Sequence, residues 1–481
     1  MAFTRVTLAA ALHTVLAVIG IASAAEGQRP MPLAEIQSNG IAQSAAAFEF
    51  PNSSQPRAKS TKTHSTDISS PEVESNPASH SVEMSPENSL PEPVMQLPTF
   101  EHMALSSNPS LQRAMYMIGA AQGNAVQAGL LPNPTVGYEG QQLGSGGLAE
   151  QHGVLIGQEL VRHSKRTLNR GIACREVNAA QHAYEVQRLR VLTDVRINFY
   201  RALRAQRQIA VTSELLDISR QAHASAESLF KAQEVGKADV LQAQLEVEAA
   251  TIQHENAENR QRSSWSELCA VCGISFLPPA PLDGELSALG VQIRFDEALA
   301  RLQSFSPEVA VAAVNIDRAR LKLQRQLVET QPDVSIAGLV NWRDNGIGGA
   351  SDGGLAVSVP VPIWNRNQGA IQQARHELAA AEQALAQLQF ELQQRLAPAF
   401  ERYANARTQV ERIRDRILPA ANQTLDLTRK TYQAGEINFV ALLTVQRTYN
   451  QYQLAFLDAL ESLRIAETEI DGLLLSGALK Q

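Results

Sequence analysis

The sequence has 481 residues, a formal net charge of −7 and three cysteines. Nucleic-acid-binding proteins need clustered Lys and Arg, so this mild acidity and the lack of a basic patch argue against that class. Three cysteines cannot build a disulfide scaffold. Outside the first 25 residues no apolar run approaches the ~18 residues of a transmembrane helix, which excludes a helical integral membrane protein. Only 5% of the residues are aromatic, and this composition predicts mainly helix.

The N-terminus has the pattern of a secretory signal peptide over residues 1–25. Arg5 precedes the apolar stretch Val6–Ile21, and the small residues Ala22-Ser23-Ala24 follow as a cleavage site. The alternative is a membrane anchor, because the run is nearly long enough to span. No cysteine precedes Cys174, so the exported chain has no N-terminal thiol to carry a lipid.

Residues 26–98 differ in composition from the rest of the chain. Ten of the 22 prolines lie there among Ser, Asn, Thr and Glu, without helical or alternating apolar spacing. Such a segment buries too little apolar surface to offset its ordering entropy, so a disordered Pro/Ser-rich linker is predicted. A proline-rich partner-binding segment is the alternative.

The remaining chain matches itself at a spacing near 200 residues. Asn133-Pro134-Thr135-Val136 corresponds to Gln331-Pro332-Asp333-Val334, and Leu241-Gln242-Ala243-Gln244 corresponds to Leu443-Thr444-Val445-Gln446. Gly236 is matched with Gly435 in the same way. Two copies of one unit are therefore predicted, over residues 99–290 and 291–481.

Each copy is expected to contain a helix, two strands, a very long helix, a glycine turn and a further helix. In the first copy the helix is Leu105–Leu130, and the strands are Thr135–Ser145 and Gly153–Val161. In the second copy the strands are Asp333–Arg343 and Leu355–Ile363.

The long helices show apolar residues at every third or fourth position, the spacing of helices that pack side by side. The first is predicted over residues 165–233, and its repeat partner over residues 368–433. At 1.5 Å per residue the first would be roughly 100 Å long. Pro398 and Pro419 should bend the second helix without ending it. A helical hairpin with a tight turn at one end and a strand pair at the other follows for each copy.

Four strands of about ten residues are long enough to cross an outer membrane at a tilt. Four strands cannot close, and an open sheet edge in lipid leaves backbone groups unpaired. The chain is therefore expected to oligomerise, and three copies would give twelve strands. The predicted fold class is mainly α with a small β part: a long α-helical barrel with four transmembrane strands per protomer, in a trimeric 12-stranded barrel.

This arrangement resembles the TolC family of outer-membrane factors, and especially the outer-membrane components of heavy-metal efflux systems. The resemblance covers about residues 100–475. Three stretches carry it: Ala128-Gly129-Leu130-Leu131-Pro132-Asn133-Pro134, Val359-Pro360-Val361-Pro362-Ile363-Trp364-Asn365-Arg366-Asn367-Gln368-Gly369 and Tyr432-Gln433-Ala434-Gly435-Glu436.

The resemblance implies a homotrimeric exit duct in the outer membrane, in contact with its lipid and with a helical barrel in the periplasm. It also implies a periplasmic adaptor (membrane fusion) protein and an inner-membrane RND-type pump as partners, with metal cations as one class of cargo. The turns at Gly236, Lys237, Gly435 and Glu436 would form the periplasmic mouth and contact the adaptor. Tyr432 matches the family's gating tyrosine, and Asp239 matches its carboxylate partner.

Two alternatives remain open: a non-conducting exported coiled-coil protein of the cell envelope, and a type I secretion exit duct. This chain also departs from the family. The aspartates that narrow the mouth in the type member correspond to Ala441 and Thr444 here.

No catalytic residues, metal ligands or cofactor are predicted from the sequence. The chain has no phosphate-binding loop, no dinucleotide fingerprint and no nucleophile–base set, and its ten histidines are scattered. Cys269 and Cys272 form a Cys-x-x-Cys, which elsewhere indicates redox chemistry or zinc. No second ligand pair accompanies them, so a buried structural pair is expected. The chain is therefore interpreted as a non-enzyme.

Overall fold

The computed structural model describes residues 95–144, 150–288, 290–344, 350–434 and 436–479. They belong to one compact unit, Ser85–Gln481. The predicted signal peptide, the predicted linker up to residue 94, and Gly435 lie outside the described residues. Within the described residues, no helix combines the length and apolarity that a bilayer span requires.

The same order of elements occurs in the two halves. The first half contains β1 (Met95–Gln96), α1 (Leu97–Ser107), α2 (Pro109–Gln127), β2 (Thr135–Gln141), β3 (Gln151–Leu160), α3 (His163–Lys231), α4 (Lys237–Cys272) and β4 (Leu282–Asp283). The second contains α5 (Phe295–Phe305), α6 (Pro307–Val328), β5 (Val334–Asp344), β6 (Ala350–Ser358), α7 (Gln368–Arg412), a π-helical turn (Ile413–Ile417), α8 (Leu418–Gln433) and α9 (Phe439–Asp471).

The predicted linker overlaps the folded unit by four residues. Residues 95–98 fall in the predicted linker, but Met95–Gln96 pair in parallel with Leu282–Asp283, and Leu97 begins α1. Pro98 lies in the first turn of that helix, where the missing N–H breaks no intrahelical hydrogen bond. A proline taken as a sign of disorder is here a helix-starting residue.

The prediction of a single helix over Leu105–Leu130 is wrong, because the helix is interrupted at Asn108. Proline at 109 disfavours helical geometry in the residue before it, and Asn108 has φ −68° and ψ 120°. Its side-chain oxygen accepts a hydrogen bond from the Ser110 N–H at 2.8 Å and caps α2. In the second half the helix is interrupted at the corresponding position, at Ser306 before Pro307.

The long helices agree closely with their predicted lengths. α3 spans 69 residues, and the first half then turns back through α4. Pro398 lies inside α7 and does not end it. Pro419 lies in the first turn of α8, directly after the π-helical turn. A proline has no N–H to donate to the carbonyl four residues earlier. The wider π turn accommodates this missing hydrogen bond, so the long helical rod continues through it.

The four longer strands form an antiparallel sheet in the order β2-β3-β5-β6. β6 is exposed along its whole length. Residues that pair directly share a face of the sheet, and the register places apolar side chains together on one face: Val136, Tyr138, Val154, Ile156, Ile336, Val340, Leu355 and Val357. The opposite face carries Thr135, Glu139, Ser335, Asp352 and Ser358 among small residues. Leu155 is also on this opposite face, where it pairs with Gly137.

The strand boundaries differ most at β6, which was predicted over Leu355–Ile363 and lies at Ala350–Ser358. Pro360 and Pro362 have no N–H to donate to the ladder, so pairing stops before them. The polar start of the strand pairs instead, and the Asn341 amide donates to the Asp352 carboxylate at 2.8 Å.

The helices next to the sheet form a row in the same order as the strands. α2 packs on α3, α3 on α6, and α6 on α7. Farther from the sheet, α4 packs on α3, α3 on α9, and α9 on α7 and α8. Among the described residues, the sheet and the helix row beside it therefore each have two outer elements that lack a neighbour on one side: β2 and β6 in the sheet, and α2 and α7 in the row.

One hydrophobic core joins both halves near the β1–β4 pair. Phe100 is its centre, with its ring 5.9 Å from that of Phe199 and 6.0 Å from that of Trp265. Gly273 ends α4 with φ +76°, and a Cβ there would lie 2.7 Å from the Ser107 carbonyl oxygen. The Asp194 carboxylate of α3 accepts hydrogen bonds from the Gly477 and Ala478 N–H groups at 2.9 and 2.6 Å.

Candidate functional site at the hairpin turns

The turn between α3 and α4 contains Gly236 and Lys237, two of the predicted mouth residues. Both are exposed. Gly236 does not have the left-handed backbone that glycine often supplies at the end of a helix. Its φ of −81° and ψ of 159° are extended, because it is the N-cap of α4. The left-handed residue is Gln233, with φ 63°, at the end of α3.

The turn between α8 and α9 shows why the two glycines were misaligned. Glu234 N–H donates to the Leu229 carbonyl at 3.0 Å, and Glu436 N–H donates to the Thr431 carbonyl at 3.1 Å. The N-cap of α9 is Asn438, so it is the structural counterpart of Gly236. Gly435, the matched glycine, lies outside the described residues. Glu436 is exposed in this turn.

Asp239 is held by the start of its own helix. Its Oδ2 atom accepts a hydrogen bond from the Gly236 N–H at 3.1 Å. The carboxylate at this position satisfies a backbone donor that the helix leaves unpaired, and its charge favours the positive end of the helix dipole. Among the described residues, no hydrogen bond joins Asp239 to the Tyr432 hydroxyl.

Tyr432 packs at the end of α8, between the two hairpins. Its ring centroid is 5.9 Å from that of Phe439, the first residue of α9. Both rings belong to a small apolar cluster with Ala226 and Ala243 of the first hairpin. Burial, and then the nearby charge of Asp239, raise the pKa of the Tyr432 hydroxyl. The tyrosine and the aspartate are thus electrostatic neighbours, and apolar packing joins the hairpins here.

One charged contact between the hairpins was not predicted from the sequence. Arg447 of α9 forms an ion pair with Glu246 of α4. Beside this pair lies a cavity of about 310 Å³ between the hairpins, with Leu215 and Leu443 in its wall. Both charged residues lie in heptad-like helical sequence where charges are common, so no local signal distinguished them.

The positions that correspond to the narrowing aspartates carry no charge. The Ala441 N–H donates to the Asn438 side chain at 3.0 Å, and the Thr444 hydroxyl donates to the Val440 carbonyl at 2.8 Å. Both hydrogen bonds lie within the first turns of α9. In the part of the chain that the structure describes, no group of three or more His, Cys, Asp or Glu is arranged to hold a metal ion.

The Cys-x-x-Cys pair is buried in the core, as expected. Both thiols are free, and the Cys272 Sγ lies 3.7 Å from the Phe100 carbonyl oxygen. Burial, and then the neighbouring Cys269, raise the pKa of the Cys272 thiol to about 12. Burial also raises the pKa of Cys269. Thiols that stay protonated at neutral pH are poor nucleophiles and poor metal ligands.

A second feature that the sequence did not indicate lies where the sheet meets α3. The Lys165 side chain is only 2% exposed, and its Nζ lies 2.8 Å from Asp333 Oδ2 and 3.6 Å from Glu329 Oε1. The Arg162 N–H donates to Asp333 Oδ1 at 2.9 Å. This network fastens the start of α3 to the residue that precedes β5, and so ties the two halves together.

A strand pair joined to a long helical hairpin, present twice in one chain, defines the architecture of an outer-membrane efflux channel subunit. The sequence matches the family model described as "Outer membrane efflux protein" over residues 101–273 and 298–474. The chain belongs to the outer membrane efflux protein family.

Individual relatives are distant in sequence and similar in fold. The cobalt-zinc-cadmium resistance protein CzcC of Cupriavidus metallidurans is 24% identical over 372 residues, which are 77% of this chain and 88% of CzcC. A membrane protein from Pseudomonas aeruginosa is 19% identical with a TM-score of 0.67, covering 79% of this chain and 92% of its own. VceC from Vibrio cholerae is 15% identical with a TM-score of 0.63, covering 79% and 96%.

Proposed function

We propose that this chain forms, as a homotrimer, the outer-membrane exit duct of a tripartite efflux system. In this role it conducts passively, while a periplasmic adaptor and an inner-membrane RND-type pump supply the cargo and the energy. The observation that carries the proposal is the pair of open edges: in the part of the chain that the structure describes, β2 and α2 lack a neighbour on one side, and β6 and α7 on the other.

Open edges at opposite sides of one protomer suit a ring. Head-to-tail association through two different surfaces closes into a ring when the rotation between subunits allows it. A sheet edge in lipid needs a partner for each backbone N–H and C=O group. The exposed apolar face that includes Tyr138 and Leu355 would then meet lipid, and the face with Glu139 and Asp352 would line water.

The mouth of the duct is assigned to the hairpin turns. Gly236, Lys237, Gly435 and Glu436 would contact the adaptor there, and the exposure of Gly236, Lys237 and Glu436 supports this assignment. Tyr432 and Asp239 act as the gating pair. In the structure Tyr432 packs in an apolar cluster that contains residues of both hairpins, while Asp239 caps the start of α4.

Divalent metal cations are the proposed cargo. The support is the similarity to CzcC, a protein named for resistance to cobalt, zinc and cadmium. A deletion strain complemented with the full chain should regain resistance to these ions. Restored resistance to organic toxicants alone would assign a different cargo to the same duct.

Planar-bilayer recording of the purified protein tests the duct itself. A trimeric channel gives discrete, reproducible conductance steps. A non-conducting coiled-coil protein of the envelope gives none, and that outcome would overturn the proposal. Omitting the protein from the detergent sample provides the control.

A further inference from the structure

The cavity beside the Glu246–Arg447 ion pair has walls from both hairpins. α3 and α4 of the first repeat line one side of it, and α9 of the second repeat lines the other. Its volume of about 310 Å³ is at the lower end of the range for small-molecule sites. A smaller cavity of about 110 Å³ lies between α3, α8 and α9, and Leu215, Gln446 and Asn450 line both cavities. Open space thus flanks the contact between α3 and α9 at this level.

The end of the larger cavity nearest the turns is apolar. Ala243 and Leu443 line it within the first two turns of α4 and α9, together with Ala222 of α3. These three side chains belong to, or pack against, the cluster that contains Phe439 and against which Tyr432 packs. A molecule in this end of the cavity would therefore rest on the apolar contact between the hairpins.

One turn farther along α9 the lining becomes polar. Gln446 is only 8% exposed, and within the described part of the chain its side chain makes no hydrogen bond. A buried carboxamide without a partner costs free energy, because its lost hydration is not replaced. The oxygen of Gln446 can accept and its NH₂ group can donate. A molecule that offers one donor and one acceptor would satisfy both.

The charges around the cavity balance each other. The Glu246 side chain is 16% exposed, and its carboxylate is paired with the Arg447 guanidinium. Among the described residues that line the cavity, these two alone carry a charge. A charged ligand would lose its hydration without meeting an unpaired charge of opposite sign. An uncharged ligand is therefore favoured.

We propose that this cavity binds a small uncharged aromatic carboxamide, with its ring on Ala243 and Leu443 and its amide paired with Gln446. The alanines of α3 and α4 leave a narrow slot, which a flat ring fills better than a branched group does. Water is the alternative occupant. A buried water needs two to four polar partners, and the side chains at the apolar end offer none.

A ligand in this place would favour the closed arrangement of the hairpins. It contacts α3, α4 and α9 together, so parting of the hairpins removes the contacts on one side. A ligand shifts an equilibrium by its difference in affinity for the two states, and here the closed state has the higher affinity. The ligand should therefore lower the open probability of the channel. This effect on opening rests on the proposed function, whereas the binding does not.

Saturation-transfer NMR of benzamide on the purified full-length protein tests the site. The parent protein should give a signal that saturates with benzamide concentration. Gln446→Leu should weaken binding roughly tenfold, because two hydrogen bonds are lost while the size of the side chain is nearly kept. The matched control is Gln244→Leu, at an exposed position of α4 that does not line the cavity, and it should bind like the parent.

Filling the cavity provides a second, independent variant. Ala250 is 3% exposed and lines the cavity. Ala250→Leu should occupy the space and abolish binding, while the helix content in circular dichroism is retained, since leucine is a good helix former. Equal binding by the parent, Gln446→Leu and Ala250→Leu would place benzamide in the detergent micelle and overturn the proposal. A signal that does not saturate would also overturn it, because that is the result for a cavity that holds only water.

Planar-bilayer recording separates this inference from the proposed function. Benzamide should lower the open probability of the parent channel at the concentrations that saturate the NMR signal, and it should leave Gln446→Leu unaffected. Saturable binding with unchanged open probability overturns the effect on opening and leaves the site standing. Saturable binding by a protein that gives no conductance overturns the proposed function and the effect on opening, but not the site.

Discussion

Asp239 accepts a hydrogen bond from the N–H of Gly236 at 3.1 Å, so the proposed gating carboxylate is first of all a helix-starting residue. Its charge lies close enough to Tyr432 to raise the pKa of that hydroxyl, after burial. A change at Asp239 will therefore act on the turn and on the tyrosine together. The two contributions can be separated by experiment.

Replacing Asp239 with alanine should loosen the first turn of α4 by about 1 kcal/mol, because one backbone donor loses its partner. Hydrogen exchange followed by mass spectrometry measures this locally. Asp239→Asn keeps an acceptor and should exchange more slowly than Asp239→Ala. Equal protection in both variants and in the parent would contradict the capping role.

Substitutions at Tyr432 distinguish a hydroxyl latch from a packed one. Tyr432→Phe keeps the ring on Phe439 and should leave the resting conductance near that of the parent. Tyr432→Ala empties the contact between the hairpins and should raise the open probability in bilayers. If Tyr432→Phe alone opens the channel, the hydroxyl is the latch and the packing interpretation is wrong.

The ion pair between Glu246 and Arg447 should affect gating more than stability. Arg447 is 60% exposed, so solvent screens the pair and its loss should cost no more than about 1 kcal/mol. Arg447→Glu places two like charges across the hairpins and should favour the open state. Adding Glu246→Arg should restore the parent conductance, and failure of that rescue would show that the two residues act independently.

The ion-pair network of Lys165, Asp333 and Glu329 should make the stability of the fold sensitive to acid. Burial alone would raise the pKa of Asp333, but hydrogen bonds from Lys165 and Arg162 outweigh it and hold that pKa below its ordinary value. A depressed carboxyl pKa stabilises the fold above the unfolded value of about 3.9, and the contribution is lost as pH falls through the lower folded value.

The matched variant is Lys165→Met, which leaves Asp333 without its closest cation. Removing one partner of a fully buried pair typically costs about 3–5 kcal/mol, and the cost should be smaller here because the Asp333 side chain is 18% exposed. Thermal unfolding should show a lower Tm for the variant at pH 7 and a smaller difference below pH 4. A constant difference across that range would mean that Asp333 does not carry the effect.

Maleimide labelling should separate the three cysteines. Cys174 is exposed and should react in the native protein, whereas Cys269 and Cys272 are buried and have raised pKa values. Peptide mass spectrometry after labelling with and without denaturant reads each site. Rapid native labelling of Cys272 would contradict its place in the core.

Periodicity alone was enough to predict the rods. Apolar residues at every third or fourth position gave the 69-residue length of α3, because nothing within it competes with helix. Prolines and polar residues at the ends of helices and strands were harder to interpret. Pro98 and Pro109 begin helices, where they were taken to mark disorder or were overlooked, and the polar first residues of β6 pair through Asp352.

The site was predictable only in part, and the reason is tertiary. Gly236 was matched with Gly435 because both are glycines, yet the structural counterpart of Gly236 is Asn438. Both glycine and asparagine are common at helix N-caps, so residue identity was a poor guide to position. Arg447 meets Glu246, and Lys165 meets Asp333, across distances in sequence that no local pattern records.

The attachment of residues 477 and 478 to Asp194 has a consequence for how the polypeptide folds. The two ends of that contact are 283 and 284 positions apart. Contacts of such separation form late, since a long loop must close before they repay its entropy. The first repeat therefore lacks these two hydrogen bonds until the end of the second repeat has been synthesised.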